Sequence, residues 1–386
     1  MTMIPAGLEG VGTLESVELW VASCALTSPI VSSLHNHQVR RIGFVRVRCS
    51  GAEGFGEIAA MDQTVGTDPR LDLVLRSIEE QWSPRLFEAA RARGGDCPPS
   101  HAIAVLGPAS AVDRQAAAAL EMAVLDAELR AAGLSLARWL EVGGSSVAFG
   151  ALRGIPADRS IDTFVVDALD ALTNGASRLR VKVDPSWALE PLSALRKSAP
   201  EALLQADANG SLGGSEGLKV LHGIDGLGLA CIEEPLGTTD LAASASLAQQ
   251  ISTPLCLDET LSTPRVVRDA LRYQACGVLC IKPGRLGGIR AALRALGEAQ
   301  MHGVDCFVGG MFEAGLGRSA LGALAGRPEA TLIGDVVSAG TYLVEDPCHQ
   351  NGPEGGSQPL FDEPGVGPWP DRTVAEVRWE HRRPGL

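Results

Sequence analysis

Five short apolar runs in the middle of the chain each end in a charged residue, and the five ends are evenly spaced. The runs are RLRVK ending at Lys182, LLQAD at Asp207, LACIE at Glu233, PLCLD at Asp258 and VLCIK at Lys282, with successive ends 24 to 26 residues apart. A strand, a loop, a returning helix and a second loop need about that length. Each charged residue therefore falls at the carboxyl end of its own parallel strand. In a closed barrel of βα units these ends converge on one mouth, where side chains from several strands build a site. Apolar runs continue on both sides, from VAFGALRGI at 147–155 to VDCFVGG at 304–310 and ATLIGD at 330–335, which gives eight strand positions. The predicted fold class is α/β, a modified (β/α)8 TIM-type barrel.

The chain before residue 140 has a different rhythm. LESVELWVASC at 14–24 and RIGFVRVR at 41–48 alternate as half-buried antiparallel strands do, and GAEGFGE at 51–57 reads as a glycine turn into a third. SSLHNHQVRR between the first two reads as a polar loop, with His35 and His37 as loop residues or, on the sharper reading, as lining of a closed site. Residues 71–92 and 111–132 have helical periodicity, and Gly133 stops the second helix. These pieces predict an N-terminal α+β capping domain over 1–140 and a barrel over 141–345. The tail at 346–386, rich in Pro and Gly at its start, is expected to pack back on the cap.

Composition narrows the partners. A net charge of −13 argues against a nucleic-acid binder. No apolar run reaches the ~18 residues of a membrane span. The first residues lack a cationic stretch followed by an apolar one, so no signal peptide is expected. The nine cysteines sit singly in apolar runs with no CxxC, which reads as buried free thiols in a reducing cytoplasm.

Any one of the acids could serve as a helix N-cap in the loop that follows it. Three in register are better explained by a cation, since three carboxylates close together cannot all stay ionised without one. All-oxygen ligation with room left for water or substrate suits Mg²⁺, and Asp207, Glu233 and Asp258 are the candidate ligands. Lys182 and Lys282 flank the trio. An exposed ammonium is no base, but one beside a divalent cation and another positive group becomes a candidate. Arg180, two residues before Lys182, points the same way along the strand. The set suits removal of a proton α to a carboxylate, with the cation stabilising the resulting enolate and a second lysine on the opposite face.

RLRVKVDP, LQADANG, CIEEPL, PLCLDET, VLCIKPGRLGG and GGMFEAGLGRSA, together with the helix ALEMAVLDAELRA at 119–131, resemble the enolase superfamily, muconate-lactonizing subgroup. They are most similar to o-succinylbenzoate synthases and N-acylamino acid racemases. The resemblance implies a barrel closed by N-terminal loops, with SSLHNHQVRR in the place of a capping loop. It implies Mg²⁺ on Asp207, Glu233 and Asp258, Lys182 as base and Lys282 as its partner. Asn209 and Glu259 would support the ligands, and Gly310, Met311 and Glu313 would line the substrate pocket or stand directly behind it. A Lys base working with Mg²⁺ is the general pattern of such sites.

The resemblance has departures. Arg180 stands where relatives carry a lysine, Glu234 where many carry glutamine, and Phe312 and Ala314 where Ile and Thr are usual. The pair Glu233-Glu234 leaves open which is the ligand. Asp335 reads equally as pocket lining or as a helix cap, and His222 and His302 as structural residues on helices. The expected function is syn-dehydration to o-succinylbenzoate on the route to menaquinone. N-acylamino acid racemisation, muconate cycloisomerisation and dipeptide epimerisation follow, and an inactive barrel serving as a binding subunit is the reading from another class. The expected partner is a small carboxylate, and the expected assembly a homo-oligomer.

Overall fold

The computed structural model describes residues 8, 10–31, 36–64, 66–371, 373 and 375–383. Three antiparallel strands open the chain: β1 (Leu14–Val31), β2 (Asn36–Cys49) and β3 (Ala52–Ile58). The loop expected over 32–41 is shorter than its polar sequence suggested. Residues 36–41 continue β2, with Asn36 opposite Val31 and Arg41 opposite Ser23. Backbone pairing across the hairpin outweighs the polar composition there. His35 lies outside the described residues, as does the side chain of His37.

The cap sheet is buried on both faces at its centre, where a half-buried sheet was expected. Val17, Leu19 and Val21 join the cap's own core, while Trp20, Ala22 and Phe44 join the core shared with the barrel. Helices α1 (Leu71–Ser77) and α2 (Ser83–Ala92), joined through a wide turn, and α3 (Ala111–Ala132) cover the first face. α3 begins at a capping box made by Ser110 and Asp113 and ends at Gly133 with φ 66°. It lies so close to β3 that a Cβ on Gly56 would sit 2.0 Å from the Ala119 carbonyl oxygen. Only glycine permits that approach.

Seven parallel strands follow in sequential order: β4 (Gly150–Arg153), β5 (Arg178–Lys182), β6 (Leu204–Asp207), β7 (Cys231–Glu233), β8 (Leu255–Leu257), β9 (Val278–Ile281) and β10 (Asp305–Val308). Helices α4 (Ile161–Thr173), α5 (Leu189–Ser198), α6 (Gly214–Ile224), α7 (Leu241–Ala248), α8 (Pro264–Arg272), α9 (Ile289–His302) and α10 (Gly315–Ala325) alternate with them. His222 lies on α6 and His302 on α9, both exposed.

The eighth strand expected at 330–335 is absent as a regular strand. An irregular segment takes its place. Leu332 N–H donates to Cys306 O at 2.9 Å and Asp335 N–H to Val308 O at 3.1 Å, while Gly150 N–H donates to Gly334 O at 2.9 Å. These bonds join β10 to β4 and close the ring. Gly334 makes the closure possible, since a Cβ there would lie 2.4 Å from Val308 O. After the barrel, β11 (Ala375–Arg382) returns to the cap and pairs antiparallel with β1. No helix among the described residues is long and apolar enough to cross a membrane.

Candidate active site

The strand ends meet as their spacing predicted. Lys182 Nζ lies 2.7 Å from Asp207 Oδ2 and 2.5 Å from Asn209 Oδ1. Lys282 Nζ lies 2.7 Å from Asp258 Oδ2. The two lysines come from β5 and from the end of β9, with three strands between them. Arg180 points into the barrel, donates to Asp207 Oδ2 at 2.7 Å and lies 3.4 Å from Glu233 Oε2. Asn209 Nδ2 donates to Glu259 Oε1 at 2.8 Å, so Glu259 steadies the residue that holds Lys182.

The turn sends the side chains of Glu233 and Glu234 in different directions. Glu234 has φ 40°, a conformation rare for a residue with a side chain. Its Oε2 accepts from the Asp258 N–H at 2.8 Å and from the Thr260 N–H at 3.2 Å. Glu234 thereby braces the loop that carries Asp258. Glu233 turns inward to Gln205 and Arg180.

Electrostatics divide the three acids. Burial would raise Asp207, but Lys182 and Arg180 outweigh it and hold the carboxyl below its ordinary value. Burial also opposes ionisation of Asp258, and Lys282 and Arg285 hold it well below the usual range. Glu233 is the exception. Burial, with the charges of Asp207 and Asp258, pushes it well up despite Arg180. Burial alone would lower Lys282, but Asp258 keeps its ammonium above the ordinary lysine value.

The residues fit a hard divalent cation. Glu233 Oε1 and Glu259 Oε2 are buried acceptors with no hydrogen-bond partner, in a site already rich in carboxylate. Such atoms are costly unless a cation or donor completes them. The grouping differs in one respect from the expected trio. Among the described residues, Glu233, Asp258 and Cys280 bring ligand atoms within 4.8 Å of one another, and Asp207 stands outside that group. Its Oδ2 is held by Lys182 and Arg180.

Above the acids lies a cavity of about 490 Å³, within the range of small-molecule sites. Lys182, Lys282, Asp258 and Glu259 are at its base, and Met311 and Phe312 form part of its wall. Thr27, Ser28 and Met61 of the cap reach its rim. Gly310 and Met311 line it as expected. Glu313 does not. It turns beneath the loop, where its Oε1 accepts from the Met311 N–H at 2.8 Å. The loop sequence GGMFEAG marked the segment without telling which side chains face inward. Phe312, at φ 57°, is held edge-on against Tyr342 with ring centres 5.4 Å apart.

Comparison with known proteins agrees with this geometry. Residues 164–374 match the family described as "Enolase C-terminal domain-like", more than half of the chain. The chain belongs to the enolase superfamily. It is 34% identical to an N-succinylamino acid racemase of an Amycolatopsis species, over 92% of this chain and 94% of that one. It is 28% identical to an o-succinylbenzoate synthase of Bacillus subtilis, over 86% of this chain and 87% of that one. A solved structure of an enolase superfamily member from Listeria innocua matches with TM-score 0.88 at 26% identity, covering 96% of this chain and 98% of that one. This chain is therefore an enolase-superfamily enzyme.

In this enolase-superfamily chain, three further charged groups belong to the site. Asp335 lines the cavity and accepts from both Arg178 and Arg180, which settles its two readings in favour of lining. Arg178 is the next inward position below Arg180, and the two-residue alternation of β5 would have found it. Arg285 donates to Asp258 Oδ1 at 2.6 Å and to Asp68 Oδ2 of the cap at 2.6 Å. Nothing local in KPGRLGG marks a contact that spans two units of the fold.

Proposed function

We propose that this enzyme removes the proton α to the carboxylate of a small acid, with Mg²⁺ as its cation. The observation that carries the reading is the pair of lysines on opposite sides of one acidic centre at the base of one cavity. Glu233 and Asp258, with Asp207 drawn in from its lysine, would hold the cation. When bound, the cation would neutralise these acids and stabilise the negative charge that a substrate carboxylate gains as its α-proton leaves.

Lys182 Nζ takes the proton, and Asn209 Oδ1 orients that amine. Arg180 stays cationic behind it, a fixed charge where a second lysine would titrate. Lys282 faces the opposite side of the same carbon. In a 1,1-proton transfer it delivers a proton there, which inverts the centre. In a syn-dehydration Lys182 returns its proton to the departing hydroxyl, water leaves, and Lys282 acts only as a charge.

Racemisation of an N-succinylamino acid is the finer reading placed first, supported by two lysines able to act from two sides and by the 34% identity to a racemase of that name. Dehydration to o-succinylbenzoate is second, supported by the 28% identity to a synthase. The test is proton NMR in deuterated water with Mg²⁺, using N-succinylamino acids and the hydroxycyclohexadiene carboxylate that dehydrates to o-succinylbenzoate. Exchange of the α-proton with inversion supports the first reading, and loss of water the second. Lys182→Ala is expected to lower either rate by about 10²–10⁴-fold. Turnover unchanged by that substitution would remove Lys182 from the reaction.

A further inference from the structure

Along a strand, a residue and the one two places earlier point the same way. Two places before Glu233, Asp258 and Lys282 stand Cys231, Cys256 and Cys280, one on each of three adjacent strands. All three are buried free thiols, and with Val278 and Phe307 they form a small core cluster of their own. A layer of sulfur thus underlies the layer of charge. At one point the layers meet, since Cys280 groups with Glu233 and Asp258 within 4.8 Å. Gly309, just after β10, leaves room for this. A Cβ there would lie 2.5 Å from Cys280 Sγ.

A second observation points to a ligand at the same place. Glu233 is fully buried and its Oε1 has no hydrogen-bond partner. An unfilled carboxylate oxygen, a second carboxylate and a thiol, all buried, form a donor set unlike three carboxylates. Oxygen donors alone suit Mg²⁺, whereas a thiolate favours borderline and soft ions such as Zn²⁺ and Cd²⁺.

We propose that Glu233, Asp258 and Cys280 form a second, softer cation site that takes a thiophilic divalent ion and competes with Mg²⁺ through the two shared carboxylates. It rests on the reading above insofar as both sites use Glu233 and Asp258. When the ion enters, a metal–sulfur bond forms, and the thiol proton passes to solvent. The ion replaces Lys282 and Arg180 as counter-charge to the two acids. Asp207 lies outside this group of three and takes no part. Cys256 is outside the ligand group, and its thiol faces Leu257 O at 3.8 Å.

The metal-free full-length protein is titrated with Cd²⁺ while the ultraviolet thiolate-to-cadmium charge-transfer band is followed. Mn²⁺ binding, read by electron paramagnetic resonance, reports the hard site separately. The band is expected to saturate at one equivalent, to be lost in Cys280→Ser, to persist in Cys256→Ser and to fade as Mg²⁺ is added. If Cys280→Ser does not fold, the ¹¹³Cd resonance of the unaltered protein serves instead, shifted from the all-oxygen position towards that of sulfur-bound cadmium. A band that survives Cys280→Ser, or a resonance at the all-oxygen position, overturns the proposal. Mn²⁺ binding without any Cd²⁺ band overturns it too but leaves the proposed function standing. Failure of both ions to bind counts against both.

Discussion

Arg180 and Asp335 set the charge balance at the floor of the mouth. Asp335 accepts from Arg178 and Arg180, and Arg180 passes on to Asp207 and Glu233. Removing Asp335 leaves the buried Arg178 without its carboxylate, while Arg180 keeps Asp207 and Glu233, and an unsatisfied buried group costs about 1–3 kcal/mol. Asp335→Ala is expected to lose about 1–3 kcal/mol of stability and most of the activity. Urea unfolding checks the first and turnover the second, and an unchanged midpoint would contradict the account. Glu57, between cap and barrel, makes a different case. Burial and the charge of Glu313 push its carboxyl up to about 8, against hydrogen bonds from Gly317 and Ala314 and the attraction of Arg40. Its ordinary value is 4.5. Between those limits the folded chain holds a proton that the unfolded chain has released. Stability attributable to Glu57 is therefore full below that window and falls as pH rises through it, by at most ~1.4 kcal/mol per pH unit. Glu57→Gln is expected to flatten the slope of unfolding midpoint against pH relative to the parent protein.

β3 and α3 are locked by what β3 lacks. A Cβ on Gly54 would lie 2.3 Å from Ala123 O, and one on Gly56 2.0 Å from Ala119 O. The alanines of α3 supply the other half of the fit, because larger side chains would hold the helix away. Overpacking a tight contact costs about 1–3 kcal/mol. Here the obstacle is backbone, which cannot rotate aside. Gly56→Ala is expected to fall at or beyond the upper end of that range, measured by denaturant midpoint. An unchanged midpoint would mean that α3 can lift away freely. β11 matters to the same sheet, since it covers the edge of β1 that would otherwise present unpaired backbone groups.

The cap and barrel are joined through the site itself. Asp68 of the cap holds Arg285, and Arg285 holds Asp258. Arg40 Nε of the cap donates to Phe312 O at 3.1 Å, and Glu57 accepts from the Ala314 and Gly317 N–H groups at 2.7 and 2.8 Å. The segment 312–317 is thus gripped by the cap from two directions. Groups that orient a metal ligand are commonly worth 10–100-fold in affinity. Asp68→Asn is expected to weaken Mn²⁺ binding by about tenfold with helical circular dichroism unchanged. Equal affinity in the two proteins would show that the cap does not reach the cation.

The charged strand ends Lys182, Asp207, Glu233, Asp258 and Lys282, the βα rhythm behind them and the stop at Gly133 were legible in the chain. Each follows from local rules: a period of two along a strand, a fixed length for a βα unit, a glycine after a helix. The inward turn of Glu233 over Glu234, the use of 332–335 in place of a regular strand, the withdrawal of Glu313 from the cavity and the path from Asp68 to Asp258 were not legible. These depend on which backbone groups and charges face one another once distant segments close the barrel. Neighbouring residues in a sequence carry no record of that facing, because it is set by packing across the ring and against the cap.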